Sequence, residues 1–234
     1  MVSTVGILGA GQAGSTLARA ILGAGHDVVI ANSRSPRTLD DLVRSLGPGA
    51  RAAWAGEAAE AADFAVLMFP YAPGAVLPVE QLAGKIVLDN NNYMPWRDGQ
   101  IRAIDAGETT VHELRQQQLP ASKLAKALSH VQFHARPQVR VPSDALPALV
   151  RLARPAGAPD RTALVVSSDH PEAVELVTEL YDRLGFDTVD NSPLRESWRS
   201  APGTPAWEAS FDGQTREELI GNLALARRPR VTIS

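Results

Sequence analysis

Short apolar runs alternate with amphipathic stretches along the first half of the chain. Runs such as Asp27–Ala31 and Phe64–Phe69 have the length and β-branched content typical of buried strands. Strand-to-helix alternation at this spacing predicts a mostly parallel sheet with helices on both faces. The predicted strands are Thr4–Leu8, Asp27–Ala31, Ala50–Trp54, Phe64–Phe69 and Lys85–Asp89, and the predicted helices are Gln12–Leu22, Pro36–Leu46, Glu57–Ala61 and Leu77–Leu82.

The second half of the chain is less regular. Thr110 and Glu113 match a capping box, which predicts a helix that ends at Pro120, and Thr215 and Glu218 predict a terminal helix in the same way. Further strands are predicted at Leu124–Leu128, Thr162–Ser167 and Phe186–Asp190, with a helix at Pro171–Leu184 and a short one near Leu146–Leu152. The remaining stretches, Asn90–Gln100, most of 135–160 and Ser192–Trp207, are predicted loops.

Composition narrows the function classes. The 234 residues include no cysteine, which excludes disulfides, thiolate metal sites and cysteine nucleophiles. The five histidines show no metal-ligand spacing, and a net charge of -3 argues against a dedicated nucleic-acid binder. No apolar run approaches the ~20 residues of a membrane helix, and the N-terminus does not resemble a signal peptide, so we expect a cytoplasmic protein.

A glycine motif lies between the first predicted strand and the first predicted helix. Gly9, Gly11 and Gly14 form G-x-G-x-x-G, in which the first glycine allows a tight turn, the second lets a pyrophosphate approach the backbone and the third lets the helix pack on the sheet. Backbone N–H groups and the helix dipole would then hold the phosphates. The motif in this context predicts a Rossmann-like dinucleotide site formed by Gly9, Ala10, Gly11, Gln12, Ala13 and Gly14.

The end of the second strand indicates which dinucleotide binds. An NAD-preferring site usually has an acidic residue there, whereas this chain has Asn32, Ser33 and Arg34, with Arg37 close behind. Two guanidinium groups and a hydroxyl can bind a 2′-phosphate, so the sequence predicts NADP(H). At the end of the fourth strand, Phe69, Pro70 and Tyr71 are expected to pack against the nicotinamide or its ribose.

Together these motifs resemble the F420-dependent NADP oxidoreductases. The likeness continues through the loop from Asp89 to Tyr93, the segment from Leu152 to Arg161 and the segment from Leu184 to Asp190. It implies a Rossmann domain over 1–134 and a smaller α/β portion over 135–234 that completes the substrate pocket and the contacts of a homodimer. It also implies that Asn90 takes part in cofactor binding, and that hydride passes reversibly between NADP(H) and the deazaflavin coenzyme F420.

One segment departs from the family. The chain reads Lys126-Ala127-Leu128-Ser129-His130 on the second-substrate side, where the family branch has a phenylalanine and an asparagine at the third and fourth positions. An imine or carbonyl substrate would require a proton donor, and the candidate catalytic residues are His130, Tyr93 and Ser129, with His134 as a further candidate. Three hypotheses therefore stay open: an F420 reductase, an NADPH-dependent imine or carbonyl reductase, and a non-catalytic NADP(H)-binding redox sensor.

Overall fold

The sheet of this protein has eight strands. In the computed structural model, which describes residues 2–134 and 146–228, the strand order is β3-β2-β1-β4-β5-β6-β7-β8. All neighbouring strands are parallel except β6 and β7, which are antiparallel. The strands are β1 (Thr4–Leu8), β2 (Asp27–Ala31), β3 (Ala50–Ala52), β4 (Phe64–Leu67), β5 (Ile86–Asp89), β6 (Lys123–Lys126), β7 (Ala163–Ser168) and β8 (Asp187–Asp190).

The helices cover both faces of this sheet. Many of them are short, and the two longest, α1 and α9, carry strongly apolar inner faces against the sheet. The helices are α1 (Gln12–Gly23), α2 (Asp40–Leu46), α3 (Ala55–Ala61), α4 (Val79–Leu82), α5 (Pro95–Asp98), α6 (Arg102–Asp105), α7 (Val111–Gln118), α8 (Ala148–Arg151), α9 (Pro171–Leu184), α10 (Pro205–Glu208) and α11 (Arg216–Leu225), with 3-10 helices at Pro36–Leu39 and Leu194–Ser200.

The predicted fold class is confirmed: this is an α/β, Rossmann-like, doubly wound and mostly parallel sheet. The chain reverses its direction of winding between β1 and β4, and ligands of such sheets bind at this switch point, beyond the carboxyl ends of the strands.

One apolar cluster contains residues from both halves of the chain, including Leu17, Phe133 and Tyr181. The division at residue 134 stays a prediction.

Most predicted elements occur, and the differences have physical causes. The capping boxes at Thr110 and Thr215 are present, with each threonine side chain accepting from the N–H of the glutamate three residues later. The predicted fourth strand ends early, at Leu67, and the predicted sixth ends at Lys126, because the chain turns through Leu128 with a left-handed φ of 58°.

Several predicted loops contain short helices. The stretch Asn90–Gln100 contains α5, and Ser192–Trp207 contains a 3-10 helix and α10. In both α5 and α10 a proline occupies the first turn, which a helix tolerates because that N–H has no partner within the helix. The predicted loop over 135–160 lies partly outside the described residues. No helix among those described is long and apolar enough to cross a membrane.

Candidate functional site

The glycine loop has the geometry that its sequence predicts. Gly9 has a φ of 119°, and a Cβ there would lie 2.6 Å from the carbonyl oxygen of Met68. A Cβ on Gly14 would lie 1.8 Å from the oxygen of Gly9, so the first turn of α1 can pack against the loop only without a side chain there. Both positions therefore require glycine for the backbone itself.

Gly11 differs from the other two glycines because a Cβ there would meet nothing within 4 Å. Gly11 is also the N-cap residue just before α1, and the helix start has neither a side-chain cap nor an acidic residue in its first turn. The N–H groups of that turn therefore have no side-chain partner, and the space in front of them is open. Free donors and a positive helix end suit a pyrophosphate, so the loop fits a dinucleotide.

The end of β2 offers two cations for a 2′-phosphate. Asn32 orders this turn, since its side chain accepts from the N–H of Arg34 at 2.8 Å and donates to the hydroxyl of Thr38 at 2.9 Å. Ser33, Arg34 and Arg37 are exposed, and within the described part of the chain neither guanidinium makes an ion pair. Both arginines are therefore available to an incoming phosphate, and no carboxylate of this turn would repel it.

A cleft of about 260 Å³ adjoins the glycine loop at the carboxyl ends of β4 and β5. Ala13, Phe69, Pro70 and Asn90, all predicted to bind cofactor, line it, and so does Ser129. Tyr71 is not among the lining residues: its ring lies 5.3 Å from the guanidinium carbon of Arg115. The cleft lies where the nicotinamide end of a dinucleotide emerges from such a loop.

The far wall of the cleft is held in place by asparagine side chains. The side-chain amide of Asn90 donates to the carbonyl of Leu128 at 2.6 Å, and that of Asn92 donates to the carbonyl of Ser129 at 2.6 Å. The hydroxyl of Ser129, the amide nitrogen of Asn91 and the amide oxygen of Asn92 are buried without a partner. Buried polar groups of this kind normally find a partner, so the three unpartnered atoms stand out in a wall that lines the cleft.

The three predicted catalytic residues do not converge on one point. Ser129 lines the cleft, Tyr93 lines a separate cavity, and His130 lines neither. The hydroxyl of Tyr93 donates to Asp105 at 2.8 Å and accepts from the N–H of Ile101, while Nε2 of His130 accepts from the N–H of Val165 at 3.3 Å. The exposed His134 does line the cleft. Catalytic roles for these residues stay predictions.

A buried polar cluster that no sequence motif indicated lies at the carboxyl ends of β5 and β6. Asp89 and Arg115 form an ion pair at 3.4 Å with both side chains fully buried, and the guanidinium of Arg115 also stacks on the ring of Phe69 at 5.1 Å. Lys126 is fully buried and donates to the carbonyl of Ser197 at 2.7 Å. The signal that could have identified the cluster is the charged residue at the carboxyl end of each of two buried strands, Asp89 of β5 and Lys126 of β6.

Burial sets the ionisation of this region. It lowers the pKa of Lys126 to about 7 against the opposing pull of Asp89, and it raises the pKa of Asp89, which Arg115 opposes. Burial, assisted by the charge of Lys126, lowers the pKa of His130 to about 3 and the pKa of His112 well below its usual value. Both histidines are therefore neutral at neutral pH, so His130 is poorly suited to supply a proton.

The two histidines with the most strongly lowered pKa, His112 and His130, predict acid sensitivity. A histidine whose pKa is lowered in the folded state is protonated only after unfolding, so stability falls as the pH drops below about 6.5. For His112 and His130 together, we expect the free energy of unfolding to fall by about 2–3 kcal/mol between pH 7.5 and pH 5.5. Near and above pH 7, the lowered pKa of Lys126 also makes the free energy of unfolding fall as the pH drops. The raised pKa of Asp89 has the opposite effect on the free energy of unfolding.

Urea unfolding of wild type and H130N at the two pH values isolates the contribution of His130. H130N should lose about 1 kcal/mol less stability on acidification than wild type. An equal loss in H130N and wild type would contradict the prediction.

The fold and the glycine loop define a class of protein: a Rossmann-like α/β fold with a loop that fits a dinucleotide. Comparisons with known proteins agree, because residues 4–93 match the family described as "NADP oxidoreductase coenzyme F420-dependent". The resemblance seen in the sequence is confirmed over residues 4–93, where this match lies. Among curated proteins, YjhV of Escherichia coli K-12 is 42% identical over 60 residues, which are 24% of this chain and 44% of that protein, so less than half of that relative is matched.

Solved structures extend the likeness over most of the chain. The hypothetical protein SMa0349 from Sinorhizobium meliloti is 28% identical with a TM-score of 0.62, covering 83% of this chain and 86% of that one. A protein provisionally described as an F420-dependent NADP reductase, from Arthrobacter sp. FB24, is 23% identical with a TM-score of 0.64, covering 83% and 87%. An imine reductase from Myxococcus stipitatus, at 18% identity and a TM-score of 0.51, covers 82% of this chain but 55% of its own, and shares the fold.

Proposed function

We propose that this protein transfers hydride between NADP(H) and coenzyme F420. The observation that carries the proposal is the open cleft of about 260 Å³ between the glycine loop and the Asn90–Asn92 turn, in a chain whose residues 4–93 match the F420-dependent family. NADP(H), when bound, supplies or accepts the hydride at its nicotinamide ring. The protein's own task is to hold two flat rings against each other and keep water away from them.

The chain's residues divide this task between them. The N–H groups at the start of α1 would hold the pyrophosphate, and Arg34 and Arg37 the 2′-phosphate. The rings of Phe69, Phe133 and Trp207 line the cleft and suit contact with a planar molecule. Asn91 and Ser129 line the same cleft and would form the polar part of the wall around a bound ring.

The protonation states of the described residues support a hydride acceptor that does not need a proton from a side chain of the protein. His130 is buried and neutral, the hydroxyl of Tyr93 is committed to Asp105, and Arg97, at the edge of the cleft, is paired with Asp98 at 2.6 Å. A reduced deazaflavin can exist as an anion, so its formation places no demand for a proton on these groups. An imine, in contrast, must be protonated when it is reduced.

The second candidate is an NADPH-dependent reductase of a small imine or carbonyl compound. The observation that favours it is the exposed His134 on the wall of the cleft, which the hydroxyl-bearing Ser129 also lines. His134 would then supply the proton, and H134N should remove most of the turnover of that substrate. The third hypothesis, a non-catalytic redox sensor, has less support, because the cleft beside the glycine loop is open rather than filled by side chains.

The test is a direct assay of both substrates. NADPH is mixed with oxidised F420 and, separately, with 2-methyl-1-pyrroline, and the loss of the deazaflavin's visible absorbance or of NADPH absorbance is followed. We expect turnover with F420 that is nearly unchanged in H134N, because that reaction uses no protein acid. Turnover of the imine alone, lost in H134N, would overturn the proposal in favour of the second candidate, and turnover of neither with intact NADPH binding would favour the sensor.

The assembly and location of the protein stay proposals. The homodimer rests on the resemblance alone, and sedimentation at two protein concentrations would test it.

A further inference from the structure

A second cavity, distinct from the hydride-transfer cleft, lies on the other side of the Asn92–Met94 segment. Its volume is about 370 Å³, within the usual range for small-molecule sites and large enough for one or two fused rings. Asn92 and Met94 contribute to the walls of both cavities, so the two lie back to back across one short stretch of chain. Nothing in the proposed hydride transfer uses this second cavity.

The walls of the second cavity are mostly aromatic and aliphatic. Tyr93, Trp96 and Trp198 supply rings, and Ile104 and Val111 supply aliphatic surface. Trp96 is 82% exposed, so a large apolar ring at the cavity's edge is covered by nothing in the described part of the chain. Rings arranged in this way favour a flat apolar ligand.

The charge at the cavity is positive. Its charged lining residues among those described are Lys126, Arg228 and Asp105, and the carboxylate of Asp105 accepts from Tyr93. His112 also lines the cavity and is neutral, and the nearby Asp89 and Arg115 balance each other. One cationic charge is therefore left over when Lys126 is protonated.

The amino group of Lys126 can donate more hydrogen bonds than the one it makes to Ser197. That group donates to the carbonyl of Ser197, and both residues line the cavity as fully buried residues of its wall. An ammonium has three donors, and an ion buried without an anionic partner is costly. The carboxylate of a ligand would be that anionic partner, and the apolar part of the same ligand would pack against the rings that line the cavity.

We propose that this cavity is a second binding site, for a flat aromatic molecule that carries a carboxylate. The carboxylate pairs with Lys126, and the rings pack between Tyr93 and Trp198. Because the Asn92–Met94 segment forms a wall of both cavities, a molecule bound here borders directly on the wall of the hydride-transfer cleft. The proposal of this second binding site does not depend on which molecule accepts the hydride in the cleft.

The test compares two probes of the same shape, naphthalene-2-carboxylate and naphthalene-2-carboxamide, by calorimetric titration without nucleotide. Wild type should bind the carboxylate about tenfold more tightly than the carboxamide, from one charge-assisted bond. K126M keeps the length of the side chain and removes its charge, so it should bind both probes equally. K123M, which removes the half-exposed lysine at the other end of β6, is the matched control and should keep the preference.

Each possible result of these titrations either supports or overturns the proposed second binding site. Binding of neither probe by wild type overturns it, and so does a tenfold preference that survives in K126M. If K126M does not fold, as judged by its thermal transition and NADPH affinity, W198A takes its place, because removing this half-buried ring leaves the buried cluster intact. W198A should weaken both probes at least tenfold, and unchanged affinity for them would equally refute the site.

Discussion

Replacing Gly11 with aspartate should abolish measurable NADPH binding without unfolding the protein. A Cβ at this position meets no atom of the protein within 4 Å, so the backbone leaves room for a side chain. It would, however, fill the space in front of the first turn of α1 and place a carboxylate where the pyrophosphate is expected. Steric exclusion and like-charge repulsion act together, and we expect a loss of NADPH affinity of at least about 1,000-fold.

The matched control is Gly23→Asp, at the other end of α1. A Cβ on Gly23 would likewise meet no atom within 4 Å, so the steric change is equivalent. An acidic residue at the end of a helix costs up to about 1 kcal/mol of stability through the helix dipole, but it lies a full helix length from the phosphates. We expect G23D to bind NADPH as wild type does.

Fluorescence titration of NADPH against both variants, with thermal unfolding in parallel, checks the prediction. G11D should unfold within a few degrees of wild type. An affinity of G11D within tenfold of wild type would show that the pyrophosphate does not bind at this loop.

The first half of the fold could be predicted closely because its signals are local. The bounds of β1 and β2 and the start of α1 follow from apolar runs that meet glycines, and the structure has β1 and β2 at the predicted residues. The helix Pro171–Leu184 was also predictable, since Pro171 suits its first turn and Gly185 ends it with a left-handed φ of 92°.

The direction of β7 could not be predicted from local pattern. A fully buried strand such as Ala163–Ser168 suits either orientation, and its antiparallel pairing with β6 depends on the path of the chain between Lys126 and Ala163. The turn through Leu128, with its left-handed φ, likewise follows from tertiary contacts: its N–H donates to the hydroxyl of Tyr181 at 2.7 Å.

The glycine loop was predictable and the far wall of the cleft was not, for a related reason. The glycine loop is one contiguous motif, whereas the far wall of the cleft depends on which way successive residues face after β6. Ser129 faces the cleft, while its neighbour His130 faces the N–H of Val165 in β7. Sequence adjacency therefore suggested a joint role that the side-chain directions do not support.

The second large effect concerns the two arginines after β2. Arg34 and Arg37 are exposed, and a 2′-phosphate dianion is the part of NADPH that NADH lacks. Each charge-assisted hydrogen bond contributes about 1.5–3 kcal/mol, or roughly 10- to 150-fold in affinity. We therefore expect R34A to weaken NADPH binding by about 50-fold and R34A/R37A by several hundredfold, with NADH affinity changed less than threefold.

A matched control removes the same charge, that of one arginine, at a position away from the proposed 2′-phosphate site. Arg44, in α2, is an exposed arginine that pairs with Asp41, so R44A removes one surface charge outside the turn after β2. R44A should leave the affinities for both nucleotides within twofold of wild type. An equal weakening of NADPH and NADH in R34A would show that Arg34 supports the turn rather than the phosphate.

The ratio of two dissociation constants tests most directly whether the glycine loop and the turn after β2 form an NADP(H) site. Titration of wild type with NADPH and with NADH under the same conditions should show NADPH bound several hundredfold more tightly, and R34A should reduce that ratio by about 50-fold. Equal binding of the two nucleotides by wild type, or tighter binding of NADH, would contradict the assignment of this site to NADP(H).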